Sequence, residues 1–208
     1  GSLLGLDKSS KMIDFARKKY KKEIYPNIEF LVQDAEKINF QKKFDLIFSS
    51  FALQWIENKK TFFTKCRKAL KENGQICVIV PVSVSLELEI ATKIVTGSEE
   101  WKVFFKDFHP NWYFVEEEYL LDVAVESGFE VNHSTTYIEE VKFPSLKDFK
   151  DYVLLWFPYI KKLKKNLRSN FFSDIIKEYC RLLPVQENGS ISMKIPIFSM
   201  IIAIEIRY

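Results

Sequence analysis

The sequence has little cysteine and histidine, and these shortages exclude several classes of function. Its three cysteines, Cys66, Cys77 and Cys180, lie far apart without Cys-x-x-Cys spacing, so the sequence predicts neither a zinc site nor a disulfide framework. We therefore expect no bound metal and a reducing, cytoplasmic environment. The two histidines, His109 and His133, fall in no recognisable arrangement for a general base, and we expect His109 to be structural.

An excess of one charge is also absent. The 31 basic and 28 acidic residues give a net charge of +3, which argues against a strongly basic nucleic-acid binder. The exception is KKLKKNLR, residues 161–168. Leu163 and Leu167 are four residues apart, so this run predicts a helix with a solvated cationic face, and contact with an anionic ligand or a membrane surface is the alternative.

Long hydrophobic runs are missing as well. The terminal segment IPIFSMIIAIEI is too short and too interrupted to span a bilayer, and we interpret it as a buried strand. Hydrophobic residues make up 47% of the 208, and aromatic residues 15%, which is ample for the core of one domain. We expect a single domain over residues 1–208 with no membrane span.

The first 82 residues alternate between strand and helix patterns, which predicts an α/β sheet. The predicted strands are residues 3–6, 27–32, 44–50 and 75–82. One helix follows Ser9 or Ser10, either of which can cap it, and carries Met12, Phe15, Ala16 and Tyr20 at helical spacing. A second helix spans residues 58–72, with Asn73-Gly74 as its stop.

The rest of the chain is richer in helices. Predicted helices cover residues 86–95, 101–108, 116–127 and, with a break at Pro158, 146–183. The helix over 116–127 ends at Gly128, and its expected inward residues are Tyr119, Leu120, Val123 and Ala124. Strands are predicted over 130–143 and 192–207. We interpret residues 86–114 and 146–183 as helical lid insertions.

Four segments taken in order resemble a known enzyme family. GLDKSSKMIDFARKK, FLVQDAEKI, FDLIFSSFALQWI and LKENGQICVIV resemble the class I S-adenosylmethionine-dependent methyltransferases. Within that class the similarity is to carboxyl methyltransferases that act on juvenile hormone acid, malonyl carrier protein and trans-aconitate. The most specific piece is SSFALQWI, residues 49–56. The resemblance implies an enzyme with a Rossmann-like sheet, S-adenosylmethionine as cofactor, and a small carboxylic acid or an acyl carrier protein as partner.

The resemblance also implies roles for cofactor-binding residues. Asp7 would hold the ribose hydroxyls, with Lys8 and Met12 on the adenine side. Asp34 would accept the adenine amino group and Ala35 would offer its backbone N–H. From the residues alone, Asp7 is equally a strand-end carboxylate, and Asp34 equally a turn residue or a helix cap.

Further roles fall on SSFALQWI. Ser49 or Ser50 would approach the methionine part of the cofactor, with Phe51 packed nearby. Gln54 and Trp55 would face the acceptor carboxylate as catalytic residues. A carboxylic acid with an unperturbed pKa of about 4 is already ionised at neutral pH, so alignment matters more than a base. As alternatives, Trp55 is a core aromatic and Gln54 faces solvent.

Aromatic residues in the first lid have two interpretations. They line an apolar acceptor pocket, or they simply pack together, and packing is the commoner role of such clusters. The residues are Trp101, Phe104, Phe105, Trp112, Tyr113 and Phe114.

The sequence departs from the family at its start, where the family's first strand and glycine-rich loop have no counterpart. The six glycines, at positions 1, 5, 74, 97, 128 and 189, form no such turn. The strand over 3–6 then either pairs directly with the strand over 44–50 or leaves ladder groups exposed. Three hypotheses follow: a carboxyl O-methyltransferase, a non-catalytic relative that acts as a binding module, or another α/β nucleotide-binding enzyme such as a dehydrogenase.

Overall fold

The computed structural model describes residues 1–204. Within that range it has six strands: β1 (Leu3–Asp7), β2 (Ile28–Val32), β3 (Phe44–Ser50), β4 (Leu70–Pro81), β5 (Phe129–Phe143) and β6 (Ile191–Ile204). The same residues form eight α-helices: α1 (Ser10–Lys19), α2 (Lys59–Ala69), α3 (Leu86–Gly97), α4 (Lys102–Phe105), α5 (Glu117–Glu126), α6 (Leu146–Trp156), α7 (Tyr159–Lys162) and α8 (Lys165–Leu182). The predicted mixed α/β class is confirmed. Residues 205–207 of the predicted last strand lie outside the described residues.

The strands form two separate sheets. β1 pairs with β2 in parallel, with a register that runs from Leu3 opposite Ile28 to Asp7 opposite Val32. The second sheet has four strands in the order β3-β4-β6-β5. Of the two expected arrangements for β1, direct pairing with β3 does not occur. In the described part of the chain, one edge of β1 and one edge of β3 therefore have no strand partner.

The chain divides into two compact units. The first contains residues 1–78, 115–134 and, of the described residues, 200–204, and its core joins α2 to α5. Phe63 of α2 meets Phe129 edge to face, with ring centroids 6.3 Å apart. Arg67 Nε donates to the carbonyl oxygen of Gly128 (3.2 Å), and Gly128 ends α5 with a φ of +84°, a conformation that favours glycine.

The second unit contains residues 79–114 and 135–199, and α3 packs against α8 within it. Trp101 Nε1 donates to Asp174 Oδ2 (2.8 Å), and the Trp101 ring meets Phe171 edge to face. Phe105 stacks on Phe171 with 4.9 Å between ring centroids. All residues of the two predicted lid insertions belong to this unit, and their aromatic side chains pack on one another.

Several local predictions are wrong. β4 begins at Leu70 rather than at residue 75, and α4 covers only Lys102–Phe105 of the helix predicted over 101–108. α2 ends at Ala69 rather than at residue 72. Leu70 is already extended and buried, and the backbone N–H of Lys43 donates to the Ala69 carbonyl oxygen. Asn73-Gly74 therefore lies inside β4 and does not stop the helix. The sequence pattern predicts that Tyr119 faces inward with Leu120, Val123 and Ala124, but its side chain is 47% exposed on α5.

The basic run over residues 161–168 does not form one helix. It spans the end of α7 and the start of α8, with a break at Leu163. Leu163 is buried and Leu167 half-buried, while the lysines are exposed, as the solvated-face interpretation requires. Among residues 1–204, no helix combines the length and the apolar character needed to cross a bilayer.

Candidate cofactor and acceptor site

The first predicted site residue, Asp7, is the last residue of β1. Its Oδ1 accepts a hydrogen bond from the backbone N–H of Ser9 (2.7 Å), and the Ser9 hydroxyl in turn caps α1 by accepting from the Met12 N–H. This turn fixes the half-buried carboxylate at the strand end while its second oxygen makes no hydrogen bond or ion pair to the described residues. Lys8 and Met12 are both exposed beside it.

Asp34 follows β2 and is held at the same edge of the sheet. The N–H of Gln33 donates to the Asp7 carbonyl (3.0 Å), which joins the two strand ends. Asp34 Oδ1 accepts from the Glu36 N–H (3.0 Å) and caps a 3-10 turn over Ala35–Lys37. Of the alternatives for Asp34, the cap is therefore present, and we call residues 34–37 the Asp34 turn.

The segment after β3 begins with an unusual backbone conformation. Ser49 is buried and Ser50 exposed at the end of the strand, and Phe51 follows with a φ of 50°. A bulky residue in this left-handed region costs on the order of 1 to 3 kcal/mol, and such residues cluster at functional sites. We call residues 51–56, which include a 3-10 turn over Leu53–Trp55, the Trp55 turn.

Gln54 carries a second costly feature of the Trp55 turn. The side chain is 6% exposed, so the solvent-facing alternative is wrong. Its Nε2 donates to the Phe51 carbonyl (2.9 Å), whereas its buried Oε1 has no hydrogen-bond partner among the described residues. An unpaired buried acceptor costs about 1 to 3 kcal/mol. Trp55 is half-buried, so it is not a fully buried core aromatic.

A buried lysine lies three residues after the Trp55 turn. Lys59, the first residue of α2, is 1% exposed, and its Nζ donates to the Ile56 carbonyl. Burial lowers the pKa of this ammonium to about 8, against the opposing attraction of Glu36. Sequence reasoning missed Lys59, because a lysine after Asn58 at a helix start has the pattern of a surface residue.

The structure brings together the predicted residues at the ends of β1 and β2. Asp7 and Asp34 are joined through the Gln33 N–H, and the Asp34 turn contacts α2 next to the Trp55 turn. The described residues hold no cluster of three or more metal-ligating side chains. A cleft of about 570 Å³ in the second unit is lined by other residues, among them Lys93, Lys102 and Lys106.

Known proteins of similar sequence are methyltransferases by name. Residues 1–78 match the model of a family described as a methyltransferase domain. A protein of Invertebrate iridescent virus 6, named as methyltransferase 235L, is 26% identical over 195 residues, which cover 94% of this chain and 69% of the relative. Juvenile hormone acid O-methyltransferase of Drosophila melanogaster is 26% identical over 184 residues, 85% of this chain and 61% of that protein.

A third relative matches over a shorter stretch at higher sequence identity. Malonyl-[acyl-carrier protein] O-methyltransferase 2 of Ilyobacter polytropus is 50% identical over 50 residues, which amount to 24% of this chain and 19% of that protein. The chain thus spans less than two thirds of the length of two of these three relatives.

Solved structures share the fold. A Bacillus halodurans protein named as a methyltransferase superposes with a TM-score of 0.63 at 16% identity, over 99% of this chain and 84% of that one. Phosphoethanolamine N-methyltransferase 2 of Haemonchus contortus, in complex with S-adenosylhomocysteine, gives a TM-score of 0.52 at 20% identity, over 98% of this chain and 43% of that one. The sequence matches thus show that the chain is similar to methyltransferases, and the superpositions show that it shares their fold.

Proposed function

We propose that the protein methylates a small-molecule carboxylate by direct in-line transfer from S-adenosylmethionine, within a single methyltransferase domain over residues 1–208. The observation that carries the proposal is that a polar turn follows each of β1, β2 and β3, and that the turns after β1 and β2 are joined at the end of one sheet. Open α/β sheets bind their ligands at the carboxyl ends of their strands. Asp7, Asp34 and Ser50 occupy such ends here.

The residues present fit the cofactor. The second oxygen of Asp7 can accept from the paired ribose hydroxyls, since Ser9 occupies only the first. Asp34 and the Ala35 N–H would hold the adenine ring, with Lys8 and Met12 beside it. Ser49, Ser50 and Phe51 would contact the methionine part. The cofactor supplies an electrophilic methyl group on a sulfonium sulfur.

The acceptor side requires orientation rather than a base. A carboxylate that is ionised at neutral pH needs one oxygen aligned with the methyl group and water excluded around it. The indole N–H of Trp55 is a donor suited to hold the other oxygen. Gln54 Nε2 already donates to the Phe51 carbonyl, so Gln54 would contribute through its second N–H or by shaping the turn.

The identity of the acid is a further part of the proposal. Relatives named for juvenile hormone acid and for malonyl-carrier protein favour either an apolar free acid or an acid attached to an acyl carrier protein. The exposed lysines of residues 161–168 would suit an acidic carrier. We place the reaction in the cytoplasm, supported by Cys66, Cys77 and Cys180, all of which are free thiols.

Methyl transfer can be tested with isotopically labelled S-adenosylmethionine. The chain is incubated with long-chain acids and with malonyl-carrier protein, and the products are treated with alkali. A methyl ester releases labelled methanol under alkali, whereas an N-methyl product keeps its label. We expect alkali-labile label from the wild-type chain and at least a tenfold loss in Trp55→Phe, which removes the N–H donor.

Trp156→Phe is the matched control for that variant. Trp156 Nε1 has no hydrogen-bond partner among the described residues, so its loss breaks no hydrogen bond. Equal activity of Trp55→Phe and Trp156→Phe would contradict the role of Trp55. Alkali-stable label would contradict carboxylate methylation.

A second candidate is a non-catalytic relative that acts as a binding module. Leu46 and Phe48, two residues apart on the same face of β3, are 58% and 61% exposed, and exposed apolar patches mark interaction surfaces. Such a module would fold cooperatively without binding S-adenosylhomocysteine, and calorimetric titration separates the two candidates.

A further inference from the structure

The Trp55 turn holds two unfavourable features at once. Phe51 has a φ of 50°, and Gln54 Oε1 is buried without a partner among the described residues. Each costs on the order of 1 to 3 kcal/mol. Such a conformation persists only where the surrounding structure determines it. Contacts outside the turn must therefore hold it in place.

One of those contacts comes from the Asp34 turn. Glu36 Oε1 accepts a hydrogen bond from the backbone N–H of Asn58 (3.1 Å), two residues after the Trp55 turn. The Asn58 side chain then caps α2, where its Oδ1 accepts from the Thr61 N–H (2.7 Å). One carboxylate thus connects the Asp34 turn to the first residues of α2.

The second contact is the buried ammonium of Lys59. Its Nζ donates to the carbonyl of Ile56, the last residue of the Trp55 turn. Glu36 lies close enough to favour the charged form of this lysine, while burial opposes it. Two groups thus favour the charge of this buried lysine, the Ile56 carbonyl and the Glu36 carboxylate.

We propose that Glu36 and Lys59 form a positioning clamp that couples the Asp34 turn to the Trp55 turn and holds the acceptor side of the site in its strained conformation. This inference rests on the proposed function, because it assigns the cofactor to one turn and the acceptor to the other. Both are positioning residues, since neither is placed against the reacting atoms. Cofactor bound at the Asp34 turn then stabilises the Trp55 turn through the clamp.

Amide hydrogen exchange of the free chain tests the clamp. The N–H of Trp55 donates to Ala52 and the N–H of Ile56 donates to Leu53, so both report on the turn without touching Glu36. We expect at least tenfold faster exchange at these two amides in Glu36→Ala and in Lys59→Met. Glu36→Gln keeps an acceptor for the Asn58 N–H but loses the charge, so its increase should be smaller.

Matched controls separate this local effect from general destabilisation. Glu57→Ala and Lys60→Met change exposed neighbours and should alter exchange at Trp55 and Ile56 by less than twofold. The amide of Ala124, in the buried face of α5 and in the same unit as the clamp, reports opening of that whole unit. Unchanged exchange at Trp55 and Ile56 in Glu36→Ala, or an increase only in parallel with Ala124, would overturn the clamp.

The coupling is measured by repeating the exchange with S-adenosylhomocysteine. We expect the ligand to slow exchange at Trp55 and Ile56 at least fivefold in the wild-type chain. In Glu36→Ala the ligand should still bind by calorimetry, but it should no longer slow these amides. Equal slowing in both proteins would overturn the coupling. Absence of binding to the wild-type chain would refute the proposed function, and exchange in the free chain would still decide the clamp.

Discussion

The two units of the chain differ in how they use apolar residues. The second unit buries its aromatic side chains in one continuous core that includes Phe149, Phe157 and Phe171, each at most 1% exposed. In the first unit, β3 leaves Leu46 and Phe48 exposed, and the strand pair β1-β2 has only partly buried or exposed residues. The candidate cofactor residues thus lie on the more lightly packed elements, as binding regions often do.

The largest effect should come from the core of the second unit. Phe171 is fully buried and contacts both Trp101 and Phe105. Phe171→Ala should lower the free energy of unfolding by about 3 to 5 kcal/mol, since it removes a ring and leaves a cavity. Urea denaturation followed by circular dichroism measures the change. Leu155→Ala, at a side chain that is 79% exposed, is the control. A loss below about 1 kcal/mol would contradict the picture of a tightly packed unit.

Lys59 gives the first unit a characteristic pH dependence. Its pKa is about 8 in the folded chain and about 10.5 when unfolded, so between these values the unfolded state binds more protons. The free energy of unfolding should therefore rise with pH from about 8 to 10.5, by at most about 1.4 kcal/mol per pH unit. Below pH 8 the folded chain bears the full cost of the buried charge.

That rise is isolated by comparison with Lys59→Met. Burial raises the pKa of Cys66 and Tyr179, and these groups destabilise the folded chain as pH rises, so only the difference between the two proteins is informative. Denaturant titrations at half-unit intervals of pH provide it. A difference that stays constant from pH 7 to 10 would show that Lys59 is not desolvated.

A smaller effect concerns hydrogen bonding in the second unit. The buried hydroxyl of Tyr179 donates to the Ser192 carbonyl (2.7 Å). Tyr179→Phe leaves that carbonyl without its donor and should lower the free energy of unfolding by about 1 to 2 kcal/mol in thermal or urea denaturation. Tyr137→Phe, at an exposed residue of β5, should have no measurable effect. Equal values for the two variants would mean that the bond contributes nothing.

The smallest effect on stability should come from an exposed residue of the first unit. Phe48→Ser on the exposed face of β3 should change the free energy of unfolding by less than about 0.5 kcal/mol, because the ring is already in contact with water. The same denaturation measurement applies. A loss above about 2 kcal/mol would show that Phe48 is covered, and the contrast between the units would fail.

The sequence predicts the strands of the first unit well. Apolar runs locate β1, β2 and β3 to within one residue, because polar residues mark their ends at Asp7, Gln33 and Ser49-Ser50. The end of α2 was mispredicted, because Asn73-Gly74 is a common helix stop. The helix instead ends at a tertiary contact, where the backbone N–H of Lys43 donates a hydrogen bond to the Ala69 carbonyl oxygen.

The candidate site is only partly predictable from sequence. Asp7, Asp34 and Gln54 were identified through their positions after strands and through the resemblance of SSFALQWI to a known family. Neither the left-handed conformation of Phe51 nor the burial of Lys59 has a local sequence signal, because both residue types are ordinarily found in other environments. The roles of the site residues toward cofactor and acceptor are still predictions.

Calorimetric titration of S-adenosylhomocysteine tests the central claim, that the polar turns after β1 and β2 bind the cofactor. We expect saturable binding to the wild-type chain, a loss of at least tenfold in affinity in Asp7→Ala, and unchanged affinity in Asp14→Ala, whose carboxylate is exposed on α1. Binding that is equal in all three proteins would place the cofactor elsewhere. Absence of binding to a cooperatively folded wild-type chain would contradict the account.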